Sequence, residues 1–166
     1  MADVDFAILG AGAIGSIIGA HLARAGHSVL MLARTQRAQQ IADDGLRIKG
    51  LIEFSQPVPT LSQPAQLTAA GVLIVATKTY ATEAALASLR RADIGVALSI
   101  QNGMMKDALL ADAFGGERVL GALANLSGEL LASGEVLFTR NSRLFIGELD
   151  GTDSARARDI AARIRR

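Results

Sequence analysis

Residues Phe6–Gly19 read FAILGAGAIGSIIG, in which a short apolar run leads into Gly10-x-Gly12-x-x-Gly15 and a second apolar segment follows. Gly10 would permit a tight turn out of a strand, Gly12 a close approach of the backbone to a pyrophosphate, and Gly15 close packing of a helix on the sheet. The phosphates would lie at the helix N-terminus, where the first N–H groups have no partner within the helix. We therefore predict a dinucleotide-binding loop formed by Gly10, Ala11, Gly12, Ala13, Ile14 and Gly15.

A membrane-spanning helix is the competing interpretation, because residues 6–23 carry no charge and reach about the shortest length that spans a bilayer. The three glycines would fall near the middle of such a span. In addition, Asp3 and Asp5 stand where a signal peptide carries positive charge. The chain has no cysteine, as is common in a reducing compartment. We expect a cytoplasmic protein without a membrane segment.

The composition fits one α/β domain. The chain has 166 residues, of which 50% are apolar and 4% are aromatic, and this length suffices for a hydrophobic core. A formal net charge of +1 gives no basic field of the kind that nucleic-acid-binding proteins show. Arginines near the C-terminus alternate with apolar residues at helical spacing, which favours a solvated helix face over a nucleic-acid-binding tail.

Strand and helix patterns alternate at the spacing of βαβ units, which predicts a Rossmann-like, doubly wound parallel sheet. The predicted strands are Asp5–Leu9, Ser28–Ala33, Val72–Thr77 and Gly95–Ile100, and the predicted helices are Ala13–Ala25, Thr35–Asp44, Thr79–Arg91 and Met104–Phe114. Thr35 is the expected N-cap of the second helix, and Gly45 is its expected end. A small hairpin is predicted around Gly50, from Leu46–Lys49 and Leu51–Phe54, before a loop with three prolines.

The last third of the chain predicts an antiparallel extension of this sheet, because strand-like segments follow one another without long helices between them. These segments are Val119–Leu126, Gly134–Thr139 and Arg143–Glu148. From Ser154 to Arg166 a helical pattern places Ala157, Ile160, Ala161 and Ile164 on one face. We expect residues 1–150 to form the nucleotide-binding domain. Residues 151–166 would begin a helix that leads to an absent C-terminal helical domain, and its apolar stripe would be covered by that domain or by a second copy in a homodimer.

The residue that follows the second strand predicts which dinucleotide binds. An acidic residue about 20 positions beyond the glycines binds the ribose 2′-hydroxyl of NAD, whereas an arginine there accommodates the 2′-phosphate of NADP. This chain has Arg34 at that place, with Arg37 one helical turn further on. A guanidinium matches phosphate geometry and stays charged. We predict NADP as the cofactor, and a solvated arginine at a helix start is the alternative.

With these motifs, the chain resembles the N-terminal half of ketopantoate reductase (2-dehydropantoate 2-reductase) over essentially its whole length. The likeness is carried by Gly10–Gly15, by VATKTY at Val75–Tyr80, by QNGM at Gln101–Met104, and by the stretch from Gly121 through Gly134 to Glu148. Many dehydrogenases share the glycine loop, whereas the Lys78 and Asn102 motifs, each just past a strand, make the likeness specific. The resemblance implies a Rossmann domain for NADPH. It also implies an all-helical second domain with a catalytic lysine and a substrate-binding glutamate, and neither residue has a counterpart here.

The resemblance also implies individual roles. The glycine loop would hold the pyrophosphate and Arg34 the 2′-phosphate, while Lys78 would contact the cofactor from the crevice beyond its strand. Asn102 would lie near the nicotinamide and the substrate, and Ser127 against the nicotinamide end. A helix-start lysine and an Asn-Gly turn are the structural alternatives for Lys78 and Asn102. No metal site and no catalytic residue are predicted within this chain, and both histidines are expected to be structural.

The implied reaction is hydride transfer from NADPH to the keto carbon of a 2-oxo acid, as in the reduction of 2-dehydropantoate to pantoate for pantothenate biosynthesis. A lysine would protonate the alkoxide. Because that lysine has no counterpart here, we expect the chain alone to be inactive. Two alternatives stay open: the nucleotide-binding half of another two-domain dehydrogenase, and a non-catalytic NADP-binding module.

Overall fold

The computed structural model describes residues 4–165 and forms, within that range, one sheet of nine strands with helices on both faces. The strands are β1 (Val4–Leu9), β2 (Val29–Leu32), β3 (Leu46–Gly50), β4 (Phe54–Gln56), β5 (Thr60–Leu61), β6 (Ala69–Val75), β7 (Asp93–Ser99), β8 (Val119–Leu130) and β9 (Val136–Gly147). The helices are α1 (Ala13–Arg24), α2 (Thr35–Asp44), α3 (Thr82–Ala87), α4 (Lys106–Phe114) and α5 (Ala155–Arg165). None of these helices is long and apolar enough to cross a membrane.

The strand order is β4-β3-β9-β8-β7-β6-β1-β2-β5. β1 pairs in parallel with β2 on one side and with β6 on the other. The chain therefore leaves β1 toward one edge of the sheet and later returns to its other side, so that the winding direction reverses between β1 and β6. Such a switch point is where α/β sheets bind ligands, outside the carboxyl ends of the strands. The prediction of a doubly wound parallel sheet is confirmed.

Alternation along the central strands builds the two halves of the core. In β1, Phe6 and Ile8 face the cluster that includes α1, α2 and α5, whereas Ala7 and Leu9 face the cluster that includes α3 and α4. Strands buried on both faces are continuous apolar runs rather than alternating ones. For this reason the parallel strands are visible in the sequence.

The antiparallel extension is confirmed, with one strand fewer than predicted. β8 begins parallel to β7 and then pairs antiparallel with β9 from Gly121 to Leu130. The segments predicted separately as Gly134–Thr139 and Arg143–Glu148 belong to one continuous β9. Register shifts within residues 125–128 mark bulges, which bend the two strands together. β3 pairs in parallel with β9, so the β3–β4 hairpin closes this side of the sheet.

The helix after β6 is shorter than the predicted range Thr79–Arg91. A 3₁₀ turn at Thr79–Ala81 precedes α3, which ends at Ala87. Beyond it, the N–H of Leu89 donates to the Leu86 carbonyl, a bond three residues back instead of four. Such 3₁₀ geometry tightens a chain that turns at once into β7.

Two other element ends also differ from the prediction. The N-cap of α2 is Arg34 rather than Thr35, and no side chain caps that helix end. Gly45 ends α2 as predicted, with φ of 72°. The second hairpin strand begins at Phe54 because residues 51–53 form the turn, and the proline loop contains the short β5, which pairs with β2.

The apolar stripe of α5 packs on the core of this domain. Ala157 and Ile160 are buried, and Ile164 packs against the same cluster. The Arg163 guanidinium lies 4.7 Å from the centre of the Phe6 ring. The expectation that another domain or a second copy covers this stripe is therefore wrong. The second domain and the homodimer stay predictions that gain no support from it.

An ion pair also joins α5 to the residue that follows β9. Arg156 Nε and Nη2 donate to the two Glu148 carboxylate oxygens at 2.7 and 2.6 Å. Hydrogen bonds from Arg156 and then from Ser154 hold the pKa of Glu148 at about 2, below its ordinary value of 4.5. A carboxyl group with a lowered folded-state pKa stabilises the fold above its unfolded pKa, and this contribution is lost as the pH falls toward the folded pKa.

We therefore expect Glu148→Gln to lower the free energy of unfolding at neutral pH and to flatten its decline between pH 4.5 and about pH 2. Urea denaturation at a series of pH values measures both effects. Glu83→Gln is the control, because Glu83 on α3 pairs with no cation within residues 4–165. Parallel pH curves for Glu148→Gln and the unmodified chain would contradict the assignment.

Candidate dinucleotide-binding site

Two positions of the loop between β1 and α1 require glycine. Gly10 has φ of 108°, and a Cβ there would lie 2.8 Å from the amide nitrogen of Thr77. A Cβ on Gly15 would collide with the Gly10 carbonyl oxygen and lie 3.1 Å from the Ala76 Cβ. The loop is thus pressed against the residues that follow β6, on the other side of the switch point.

Gly12 has open surroundings. No atom lies within 4 Å of the place where its Cβ would be, and the residue is exposed. It is the N-cap of α1, without a side-chain hydrogen bond to the first turn and without an acidic residue in that turn. The unpartnered N–H groups and the positive end of the helix dipole favour an anion at this place. The loop therefore fits the pyrophosphate of a dinucleotide.

Three predicted binding residues lie at the same edge of the sheet. Arg34 precedes α2, Lys78 precedes the 3₁₀ turn after β6, and Asn102 lies in the bend after β7. Because β2, β6 and β7 run parallel to β1 in one sheet, their carboxyl ends meet beside the glycine loop. All three side chains are exposed, and within residues 4–165 none forms a side-chain hydrogen bond or an ion pair. Within the described residues, this edge of the sheet thus offers the unpaired cations of Arg34 and Lys78 and the amide of Asn102.

Ser127 lies on β8, past the carboxyl end of β7. β7 pairs with β8 only through Val119 and Leu120, so Ser127 stands well beyond that pairing, and it is half-buried. A Cβ on the next residue, Gly128, would lie 3.7 Å from the Ala13 Cβ at the start of α1. Ser127 is therefore one residue from a contact with the first turn of α1.

Gln101 links the loops that follow β6 and β7, and the sequence analysis did not single it out. Its Nε2 donates to the Thr77 carbonyl at 2.7 Å and to Thr82 Oγ1 at 2.6 Å, while its Oε1 accepts from Ser99 Oγ at 3.0 Å. Ser99 and Thr82 are buried. The place of Gln101 beside Asn102 is visible in the sequence. Its partners are not, because two of them lie 24 and 19 residues away.

Lys106 is a second residue that the sequence analysis missed. Its Nζ donates to the carbonyls of Ser99 and Ala122 at 2.8 and 2.7 Å, and it lies 3.3 Å from Asp107 Oδ1. The side chain is 14% exposed. An ammonium group has three donors, so these contacts leave none for a substrate, and Lys106 instead joins the end of β7 to β8.

Arg37 does not join Arg34 at the surface. Its guanidinium points into the domain and donates to the Ala11 and Gly134 carbonyls, to Ser16 Oγ and to Gln40 Oε1. Burial, and to a smaller extent the charge of Arg47, lower the pKa of Arg37 from its ordinary value. Arg37 is therefore not available as a surface phosphate ligand.

Of two cavities in the structure, one is lined by a predicted binding residue and the other is not. One, of about 480 Å³, opens beside Asn102 and is bordered by the exposed side chains of Met104 and Met105. A larger cleft of about 810 Å³ lies between α1, β9 and α5 and includes none of the predicted cofactor residues. The open glycine loop is a better candidate for a dinucleotide than the larger cleft, because backbone N–H groups at a helix N-terminus bind pyrophosphate.

Comparison with known proteins gives the family of this chain. Residues 6–151 match the family model described as ketopantoate reductase PanE/ApbA. A 2-dehydropantoate 2-reductase of Archaeoglobus fulgidus is 34% identical over 158 residues, which cover 95% of this chain and 52% of that protein. One of Pyrococcus abyssi is 35% identical over 141 residues, covering 84% of this chain and 46% of that protein. The chain thus spans about half the length of these curated relatives.

Solved structures show the same fold. The 2-dehydropantoate 2-reductase of Geobacter metallireducens superposes with a TM-score of 0.89 at 31% identity, over 98% of this chain and 55% of that one. A D-mandelate dehydrogenase in complex with NADH and anilino(oxo)acetate superposes with a TM-score of 0.83 at 23% identity, over 97% of this chain and 54% of that one. The resemblance that the motifs indicated is confirmed, and the chain belongs to the ketopantoate reductase PanE/ApbA family.

Proposed function

We propose that this chain is the NADP-binding half of a reductase that transfers a hydride from NADPH to the keto carbon of a 2-oxo acid. The observation that carries the proposal is the glycine loop at the switch point, which is closely packed at Gly10 and Gly15 and open at Gly12. Such a loop lets a pyrophosphate approach the backbone at a helix N-terminus. The names of the relatives support 2-dehydropantoate as the substrate, which would be reduced to pantoate.

Arg34 supports the choice of NADP over NAD. Its guanidinium is exposed at the carboxyl end of β2, where the adenosine ribose lies in dinucleotide-binding folds. No hydrogen-bond acceptor of residues 4–165 occupies it. A guanidinium forms charge-assisted hydrogen bonds to a 2′-phosphate, whereas NAD offers it only a hydroxyl.

The residues after β6 and β7 would serve the nicotinamide half. Bound NADPH supplies the hydride. Lys78 offers a cation to the cofactor, Asn102 an amide that both donates and accepts, and Ser127 a small side chain beside the ring. Gln101 keeps the two loops at a fixed separation through its bonds to Thr77 and Thr82. This chain therefore provides binding and orientation for the reaction.

We place the proton donor outside this chain. Lys49 lies on β3 and pairs with Glu135 at 2.6 Å, and the donors of Lys106 are taken by backbone carbonyls and Asp107. Lys78 is the remaining one of the three lysines of the chain, and we assign it to the cofactor. The alkoxide formed by hydride transfer must then take its proton from a group that residues 4–165 do not supply.

We expect Gly12→Val to abolish NADPH binding and to leave the domain folded. The valine side chain would enter the open space that the pyrophosphate needs, while no protein atom lies there to be displaced. Fluorescence titration with NADPH and circular dichroism separate the two effects. Gly116→Val is a matched control, since the surroundings of Gly116 are equally open. Unchanged NADPH affinity in Gly12→Val would refute the loop assignment.

Cofactor preference gives a second prediction. Arg34→Ala should weaken NADPH binding by about tenfold to a hundredfold, the usual contribution of a hydrogen bond to a charged group. NADH binding should change little, because NADH lacks the 2′-phosphate. Titration of both cofactors against both proteins measures the ratio. Equal affinity of the unmodified chain for NADPH and NADH would contradict the assignment of Arg34.

The third prediction concerns turnover. Residues 1–166 should bind NADPH yet reduce 2-dehydropantoate at a negligible rate, since a positioned general acid contributes about 10²–10⁴-fold. A chimera with the second half of the Archaeoglobus fulgidus relative should gain activity. Steady-state kinetics on both proteins measures the difference. Robust turnover by the chain alone would place the proton donor within it, with Lys78 as the first candidate.

A further inference from the structure

Arg37 lies one helical turn beyond the exposed Arg34, but its side chain points into the domain. It lies on α2 and is half-buried, and its guanidinium reaches two other parts of the chain. Nη1 donates at 2.8 Å to the carbonyl of Gly134, in the turn between β8 and β9, and at 2.7 Å to Gln40 Oε1. Nε donates at 3.2 Å to the carbonyl of Ala11, within the glycine loop. One side chain thus joins α2, the β8–β9 turn and the glycine loop.

The Ala11 carbonyl is held from two sides. Ser16 Oγ also donates to it at 3.2 Å, and Arg37 Nη2 donates to that same hydroxyl at 3.3 Å. Ala11 is 6% exposed and Ser16 is fully buried. The three groups form a closed ring of hydrogen bonds beneath the loop, which leaves the Ala11 carbonyl little freedom to turn.

Holding this carbonyl also fixes the next amide. The peptide bond between Ala11 and Gly12 is planar and trans, so the Gly12 N–H points away from the Ala11 C=O. Arg37 lies on the carbonyl side, and the N–H therefore faces away from Arg37. Within residues 4–165 this N–H donates to no protein acceptor. It is one of the donors available to a pyrophosphate.

We propose that Arg37 is a positioning residue for the dinucleotide, which orients the Gly12 N–H toward the pyrophosphate by holding the Ala11 carbonyl. The inference rests on the proposed function of the glycine loop. It gives different roles to Arg34, the N-cap of α2, and to Arg37, which lies within α2. Arg34 contacts the 2′-phosphate and selects NADPH, whereas Arg37 favours the binding of NADPH and NADH equally. The absence of a carboxylate partner for Arg37 in the described residues fits this role, since its acceptors are two backbone carbonyls and two neutral side chains.

The test compares Arg37→Met with Gln40→Met by titration with NADPH, NADH and adenosine 2′-monophosphate, which has a 2′-phosphate but no pyrophosphate. We expect Arg37→Met to weaken NADPH and NADH by the same factor, about tenfold, and to leave the affinity for adenosine 2′-monophosphate unchanged. Gln40→Met removes the bond that Gln40 donates to the Ser133 carbonyl and the bond that it accepts from Arg37 Nη1, but it keeps the bond from Arg37 Nε to the Ala11 carbonyl. It should therefore keep both dinucleotide affinities. Thermal unfolding of each variant records any general loss of stability.

Each other outcome overturns the proposal. A larger loss for NADPH than for NADH would make Arg37 a phosphate ligand, and an equal loss in Gln40→Met would make the role merely structural. Unchanged affinities in Arg37→Met would show that the loop needs no such support. If Arg37→Met does not fold, Arg37→Lys takes its place: an ammonium group cannot reproduce all the bonds of the guanidinium, so the affinities for NADPH and NADH should fall by one common factor, and unchanged or unequal affinities would overturn the proposal. Failure of the unmodified chain to bind either dinucleotide is a different result, and it would overturn the proposed function itself.

Discussion

The close contact between the glycine loop and the chain that follows β6 is the constraint on which the rest of the site depends. Gly10 lies against Thr77, and Gly15 lies against Gly10 and Ala76, at distances that leave no room for a Cβ. Because β1 and β6 are neighbours at the switch point, this contact brings the start of α1 next to the loop that carries Lys78. Gly12 lies between these two closely packed glycines and keeps open surroundings.

Polar side chains hold the remaining loops in place. Gln101 joins the loops after β6 and β7, Lys106 joins the end of β7 to β8, and Arg37 joins the glycine loop to α2 and the β8–β9 turn. Half of their acceptors are backbone carbonyls, which need partners when they are buried. Loops that are ordered before a ligand arrives lose less conformational entropy on binding, so these links favour affinity without touching the ligand.

Much of the fold was predictable because burial on both faces leaves a plain trace in the sequence. The runs in β1, β6 and β7 are apolar, and glycine ends α2 as predicted. The pairing of β3 with β9 was not predictable, because it joins segments about ninety residues apart and no local pattern specifies which edges meet. The same holds for α5: its apolar stripe was evident, but the surface that it covers is made by strands from the rest of the domain.

In the candidate site, the sequence by itself determined the glycine loop and the residues that follow the parallel strands, namely Arg34, Lys78 and Asn102. Their spacing is a local property, and parallel strands necessarily bring their carboxyl ends to one edge. Only the tertiary structure decided which of two nearby arginines faces the surface. Arg37 and Gly134 are 97 residues apart in the chain, and their hydrogen bond forms only when the β8–β9 turn folds onto α2. A side chain's direction depends on acceptors that the folded chain assembles, and sequence spacing carries no record of them.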